Sequence, residues 1–299
     1  MPPPIGFMLL THGGARQIDR LVNRLNALYD APPIVCHHDF SQSDLTGWSA
    51  PPNVTFVRPY VRTAWGTFSL IEAAIRLLEA MYDRQEGPRW SVLLSAADYP
   101  TASADRVLAD LDAVPCDAHI QHKKIDERAL DPSWYAEDWH RSRVQGEHFV
   151  DVGTAYSWYC TVEVPVLRRR LWRPALTRPF LPFSASRPCH AGSQWFTING
   201  LAARSVLDFW RSDRRFKRHY RRVMVPDESY FQTVLASMPD LRLNNRNWRY
   251  TDWHVGQGHP KSLELPDVER IATLNLHFAR KLDAAAPPSL VHALDALCR

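Results

Sequence analysis

The chain has 299 residues, 45% hydrophobic and 23% charged, an ordinary globular composition with length enough to bury a large core in one large domain or two small ones. Its formal charge of +4 is the balance of 36 basic and 32 acidic side chains, too small and too mixed to point to nucleic acid by itself. Five cysteines (Cys36, Cys116, Cys160, Cys189 and Cys298) are odd in number, far apart and without a Cys-x-x-Cys pair, which argues against a disulfide framework or structural zinc and fits a reducing, cytoplasmic setting.

The first apolar run, Ile5 to Leu10, predicts a buried strand. It is shorter than the ~7–15 residues of a secretory apolar region and the ~20 of a membrane span, so neither is expected there. Ile18, Leu21, Val22, Leu25 and Leu28 then recur at helical spacing. Pro33 to Cys36, Val54 to Val57 and Trp90 to Ser95 read as three more strands, with Leu70 to Tyr82 a helix between the last two. This alternation predicts an α/β fold: a parallel sheet covered by helices. Ligands of such sheets lie beyond the carboxyl ends of the strands, which singles out Thr11 and His12, His37 to Asp39, and Asp98, Tyr99 and Pro100. Polar strand ends are also common turn chemistry, so the weight rests on their convergence.

From Cys116 to Cys189 the periodicity gives way to Trp-, Pro- and Arg-rich sequence, notably Asp131 to Arg143 and Trp172 to Pro188. Long ordered loops are one reading of this stretch and a helical region of obscured period is the other. Beyond it, Phe196 to Ile198 reads as a strand, Leu201 to Arg211 as a helix, and Glu228 to Ser237 as a helix entered through Pro226 and Asp227.

Three clusters can carry chemistry. Asp227 is placed to cap the last of these helices, which leaves Glu228 free to face a cleft as a general base; both carboxylates would equally well complement the helix dipole. Lys261, in Gly256-Gln-Gly-His-Pro-Lys261, and Arg280 and Lys281, in Phe278-Ala-Arg-Lys-Leu-Asp283, can together neutralise a diphosphate, or form a solvated basic face. Trp195, Trp248, Tyr250 and Trp253 offer flat faces to a sugar ring, or belong to the core; alternation along a strand would turn Trp248 and Tyr250 to one side. Metal sites are not expected. Asp110-Leu-Asp112 falls in a helix from Val107 to Val114, where the two side chains point about 200° apart. His37-His38-Asp39 alternates across a strand without a second ligand pair. A nucleophile elbow, a Walker motif and a dinucleotide fingerprint are all missing. Arg168 to Arg170 and the basic run from Arg211 to Arg222 keep RNA binding as a minor alternative, one that would show steep salt dependence.

Taken in order, Thr11-His12, His37-x-Asp39, Trp65-Gly-Thr-Phe-Ser-Leu70, Leu94-Ser-Ala-Ala-Asp-Tyr-Pro100, Gly192-Ser-Gln-Trp-Phe196, Pro226-Asp-Glu-Ser-Tyr-Phe-Gln-Thr233, Tyr250-Thr-Asp-Trp253, His259-Pro-Lys261 and Phe278-Ala-Arg-Lys281 resemble the core-2/I-branching glycosyltransferases (glycosyltransferase family 14), which include β-1,6-N-acetylglucosaminyltransferases and peptide O-xylosyltransferases. The resemblance spans nearly the whole chain except 116–189. It implies a GT-A-type fold, a UDP-sugar donor, a carbohydrate or small-molecule glycoside acceptor, inversion at the anomeric carbon and no divalent metal. By matching positions it makes Glu228 the base and Lys261, Lys281 and Arg280 the diphosphate partners. Thr11, His12 and Asp39 become nucleotide contacts, Trp65, Asp98, Tyr99, Ser193, Gln194 and Trp195 the donor-side wall, and Trp248, Tyr250 and Asp252 the acceptor contacts. The expected organisation is one domain over 1–299: a nucleotide-binding half (1–115), a loop-rich insert (116–190), a catalytic and acceptor half (191–285) and a C-terminal helix (286–299). The resemblance makes N-acetylglucosamine the expected donor sugar, with xylose or glucuronate as the alternative, and two departures bear on that choice: Ser95-Ala96-Ala97 stands where Ser-Gly is usual, and Ser41 where a lysine often follows the His-x-Asp aspartate. The contrasting class is a non-catalytic carbohydrate- or nucleotide-binding protein, which would need no base opposite its cations.

Overall fold

A computed structural model describes residues 2–82, 87–125, 132–164, 169–171, 180–253 and 259–299. In chain order the first half runs β1 (Ile5–Thr11), α1 (Ala15–Tyr29), β2 (Ile34–His38), β3 (Val54–Phe56), α2 (Ser69–Tyr82), β4 (Trp90–Ser95), β5 (Tyr99–Pro100), α3 (Ala104–Ala113), β6 (Ala118–Ile120), β7 (Lys123–Lys124), α4 (Pro132–Gln145) and α5 (Val152–Tyr159). The second half runs β8 (Val162–Val164), β9 (Arg169–Leu171), β10 (His190–Ala191), β11 (Phe196–Asn199), α6 (Gly200–Ser212), α7 (Arg214–Tyr220), α8 (Tyr230–Ala236), β12 (Leu243–Asn244), β13 (Arg249–Thr251), α9 (Asp267–Leu274), β14 (Phe278–Arg280) and α10 (Pro288–Ala296).

Seven strands form the main sheet in the order β12-β6-β11-β4-β1-β2-β3, parallel except for β11, which runs antiparallel to both its neighbours. The expected α/β fold, a large and mostly parallel sheet flanked by helices, is what the chain adopts. Because side chains alternate across a strand, β1 and β4 feed two cores. Met8, Leu10 and Leu93 face α2, α6 and α8, while Phe7, Leu9, Val92 and Leu94 face α1, α3, α9 and α10. The helices supply matching stripes: Ile18, Leu21, Val22 and Leu25 are the buried residues of α1. Asn199 and Asp213 start α6 and α7 by accepting bonds from the amides of Ala202 and Phe216.

A smaller sheet, β13-β14-β5, stands beside the large one and brings 249–251, 278–280 and 99–100 together. The stretch from 116 to 190 departs from the loop reading: β6 inserts into the main sheet, α4 and α5 are helices, and β7, β8, β9 and β10 are further short strands. A strand of three residues is too short to show a period, which is why it escapes a sequence reading. All five cysteines are buried as free thiols. Among the described residues no helix is long and apolar enough to cross a membrane.

Candidate functional site

A cleft of about 610 Å3 opens where the carboxyl ends of β1 and β4 meet the loop after β10 and the end of β14. β1 delivers Thr11 and His12 to it, and the Thr11 hydroxyl lies 2.9 Å from His38 Nδ1. Asp39 is fully buried behind this wall. It accepts from the Ser41 hydroxyl (2.6 Å), the Gln42 amide (2.7 Å) and both the backbone and hydroxyl of Thr63 (2.6 and 2.9 Å). Burial opposes its charge, yet these bonds hold its pKa well below the usual carboxylate range. Gln42 and Thr63 line the cleft in its place, so Asp39 organises the wall and is not itself a contact surface.

Residues 192–195 form the floor. Gly192 is obligatory: a Cβ there would lie 1.9 Å from the Gln121 carbonyl oxygen, and its N–H donates to the Glu228 carbonyl (2.8 Å). Ser193 N–H donates to Gln121 Oε1 (3.1 Å) and its carbonyl accepts from Gln232 (2.7 Å), so Ser193, Gln194 and Trp195 reach the cleft on a fixed backbone. The Arg280 guanidinium sits 4.2 Å from the centre of the Trp195 ring, and Lys281 follows it into the cleft. Burial lowers the pKa of both cations, and for Lys281 the neighbouring Arg280 charge adds to the effect. Two crowded, partly desolvated cations make a strong locus for an anion.

Their counter-charge is Asp98. It lies 3.5 Å from Arg249 Nε with both side chains inaccessible to solvent (0%), and it accepts from the amide and hydroxyl of Ser95 (2.7 and 2.6 Å). Tyr99 is buried too, its hydroxyl donating to Asp295 (2.9 Å). Asp98 and Tyr99 therefore anchor the wall from beneath; Ser95, Ala96 and Ala97 are the residues of that turn that face the cleft.

Pro226, Asp227 and Glu228 form a single 3-10 turn ahead of α8, and the expected capping role of Asp227 does not occur: neither helical start has a side-chain cap. The reason is burial. Asp227 lines the cleft with its Oδ1 enclosed and unpartnered, and desolvation, helped by Glu228, pushes its pKa up to about 8. Glu228 is the more accessible member of the pair, with 30% of its side chain reaching solvent and Oε2 3.6 Å from His148 Nε2. Of the two adjacent carboxyls, burial pushes Asp227 towards its neutral form, and Glu228 is the one that reaches solvent.

Four further expected residues lie elsewhere. Lys261 is held by Asp267 (2.8 Å), Asp252 (3.7 Å) and Glu264 (4.0 Å). Although burial opposes its charge, those carboxylates raise its pKa. Its ammonium and the Asp252 carboxylate thus satisfy each other and neither lines the cleft. Trp248 stacks on His277 (4.2 Å, 3° between planes) and donates to His119 (3.0 Å), and Tyr250 is fully buried. Trp248, with φ 58°, precedes β13 instead of lying in it, and both rings belong to one buried core, which is the alternative the sequence left open. Thr251, Trp253 and the exposed Trp65 line the cleft instead. Gly256-Gln-Gly258, Arg168, Asp131 and 172–179 lie outside the described residues.

Sequence reasoning missed His148 and Gln17. Gln17 faces the cleft from α1 and donates to the Leu282 carbonyl (3.0 Å). His148 lines the cleft, meets Trp253 edge-on, and also borders a larger polar hollow of about 710 Å3 whose rim carries Lys123, Arg141, Glu147 and Arg246. No local pattern marks either residue. The Asp110-x-Asp112 string diverges as expected: Asp110 pairs with Arg106 (2.6 Å) and His277 (3.2 Å), and Asp112 with Arg89 (2.7 Å). Among the described residues no three His, Cys, Asp or Glu side chains gather in ligating geometry.

The profile of the family described as "Core-2/I-Branching enzyme" matches residues 5–143 and 159–277. Xylosyltransferase 1 of Canis lupus familiaris is 24% identical over 98% of this chain and 30% of its own length. Xylosyltransferase 2 of the same organism is 23% identical, over 98% and 33%. Xylosyltransferase 1 of Rattus norvegicus is 24% identical, over 99% and 36%. The chain spans about a third of the length of these relatives. Among solved structures, the apo WbbM bifunctional glycosyltransferase is similar at a TM-score of 0.41 and 12% identity, over 97% of this chain and 51% of that one.

Proposed function

Because the chain belongs to the core-2/I-branching glycosyltransferase family, we propose that the cleft binds a UDP-sugar and transfers its sugar to an acceptor hydroxyl with inversion at the anomeric carbon. The observation that carries this is the pairing within one cleft of a solvent-reaching Glu228, beside the buried Asp227, with the crowded cations Arg280 and Lys281. Glu228 takes the proton from the acceptor hydroxyl while that oxygen attacks the anomeric carbon. The bond from that carbon to the diphosphate oxygen breaks on the opposite side, and the charge gathering on the leaving UDP meets Arg280 and Lys281. These two cations do the electrostatic work of a divalent metal, so transfer is metal-independent. The mostly parallel sheet with its cleft beyond the strand ends suits a nucleotide-sugar fold of the GT-A type.

Trp195 and Trp65 flank the donor side, and the acceptor enters past Trp253 and His148, with the larger polar hollow beyond His148 free to hold more of it. N-acetylglucosamine and xylose are the two donor sugars to compare, and the names of the xylosyltransferase relatives favour xylose. The test is a panel of UDP-sugars with and without EDTA, following UDP release and donor-induced thermal stabilisation. One preferred sugar, unaffected by EDTA, is the expected result. Glu228→Gln should keep donor stabilisation while losing about 10²–10⁴ in turnover. A fully active Glu228→Gln enzyme would remove the base assignment, and donor binding without any turnover would make the protein a binding module.

A further inference from the structure

The surface formed by α7 and its flanks is used by neither the cleft nor the core. Between 211 and 222 there are seven basic side chains and one acid, Asp213. That acid is already spent, capping α7 and pairing with Arg187 (2.9 Å). Phe216 and Tyr220 turn inward at helical spacing and are fully buried, which sends Arg214, Arg218, Arg221 and Arg222 outward. With Lys217 they line a hollow of about 460 Å3 that contains no acidic side chain. Arg211 pairs with Asp208 (3.5 Å) and Arg221 with Glu72 (3.2 Å), which leaves the hollow strongly positive.

A basic run alone is ordinarily a solvated face, and single exposed apolar residues are ordinary as well. Here the two coincide. Of the six large apolar side chains exposed among the described residues, three border this patch: Phe180 (73%), Met224 (46%) and Trp65 (71%). Phe180 adjoins Leu181, whose carbonyl accepts from Arg215 (2.8 Å) at the start of α7. Met224 lies two residues past Arg222 and packs beside Gly66, whose carbonyl accepts from Val225 N–H (3.0 Å), so Trp65 and Met224 are neighbours. Cations at the centre with exposed apolar side chains at both ends form the pattern of an interfacial surface: the charge meets lipid phosphates while the apolar groups enter the headgroup boundary.

We propose that this face docks the protein on an anionic lipid bilayer, with the α7 arginines over the headgroup phosphates and Phe180, Met224 and Trp65 in the interface. Trp65 also lines the cleft, so docking holds the cleft mouth at the membrane surface. The inference rests on the surface alone and stands whether or not the transferase reading holds.

The experiment is vesicle co-sedimentation of the full chain with phosphatidylcholine alone and with about 30% phosphatidylglycerol, at about 0.1 M salt. The protein should bind the anionic vesicles and not the neutral ones. The triple variant Arg214→Glu/Arg218→Glu/Arg222→Glu should lose about tenfold or more of that binding. Phe180→Ser/Met224→Ser alters only exposed side chains, so it keeps the fold; it should weaken vesicle binding about fivefold while leaving retention on heparin unchanged. No binding of the unaltered protein to anionic vesicles would overturn the proposal. So would undiminished binding by the Phe180→Ser/Met224→Ser variant, which would make the patch a site for soluble polyanions.

Discussion

Asp98→Asn tests whether the acid of the Asp-Tyr-Pro motif faces substrate or holds the cationic wall together. Asp98 and Arg249 have no solvent access, and at 3.5 Å they are each other's nearest opposite charge. Burial pushes the Arg249 pKa down to about 10 even with Asp98 beside it, with Arg280 as a further cation nearby. Asparagine fills the same space and its carbonyl can still accept both bonds from Ser95, while its NH2 group then faces Arg249 Nε, so the change removes the charge and the acceptor opposite that guanidinium. Breaking a buried pair from one side costs about 3–5 kcal/mol because the remaining charge is left uncompensated. The retained Ser95 contact favours the lower end, about 3 kcal/mol. At about 2–4 °C per kcal/mol for a chain of this size, the melting temperature should fall by about 6–12 °C. Differential scanning fluorimetry, backed by urea denaturation, reads this directly. UDP affinity should not fall with it, because Asp98 offsets the positive charge of Arg280 and Lys281 and its loss leaves both more attractive to an anion. A melting point within about 2 °C of the unaltered protein would refute the reasoning, since a substrate-facing carboxylate can be lost without cost to the fold.

Lys281→Ala should weaken UDP-sugar binding about tenfold, measured by titration calorimetry, whereas Lys261→Ala, whose charge is spent on Asp267 and Asp252, should leave it within about twofold. Stability should fall on acidification between pH 6.5 and 4. His119, His190 and His219 have folded-state pKa values lowered by burial to about 4, and His277 to about 3. The unfolded chain therefore takes up protons from pH 6.5 downward while the folded chain does not until pH 3–4. The raised pKa of Asp227 acts in the opposite sense, its contribution being lost as pH rises towards 8, so Asp227→Asn should steepen the acid loss. A melting temperature that is flat from pH 6.5 to 4.5 would contradict the burial of these imidazoles.

The elements whose apolar period is long enough to see are legible from the chain alone. α1 and α2 declare a buried stripe, and β1, β2 and β4 are continuous apolar runs, which together dictate a parallel sheet with its polar residues gathered at one edge. The sequence also placed Glu228 beside Asp227 and Arg280 beside Lys281, and the order of its motifs carried the family resemblance that the profile match confirms. Which of these groups is already satisfied by another emerges only from the folded chain. Lys261 and Asp252 pair, Asp98 goes under the wall to Arg249, Asp39 is consumed by Ser41, Gln42 and Thr63, and Trp248 stacks on His277 in the core. His148 reaches Glu228 from a segment eighty residues earlier that shows no period of its own. The physical reason is common to all of them: a residue type records which bonds a side chain can make, but burial and the partner brought across the fold decide which of them is made, and therefore which charges remain for a substrate.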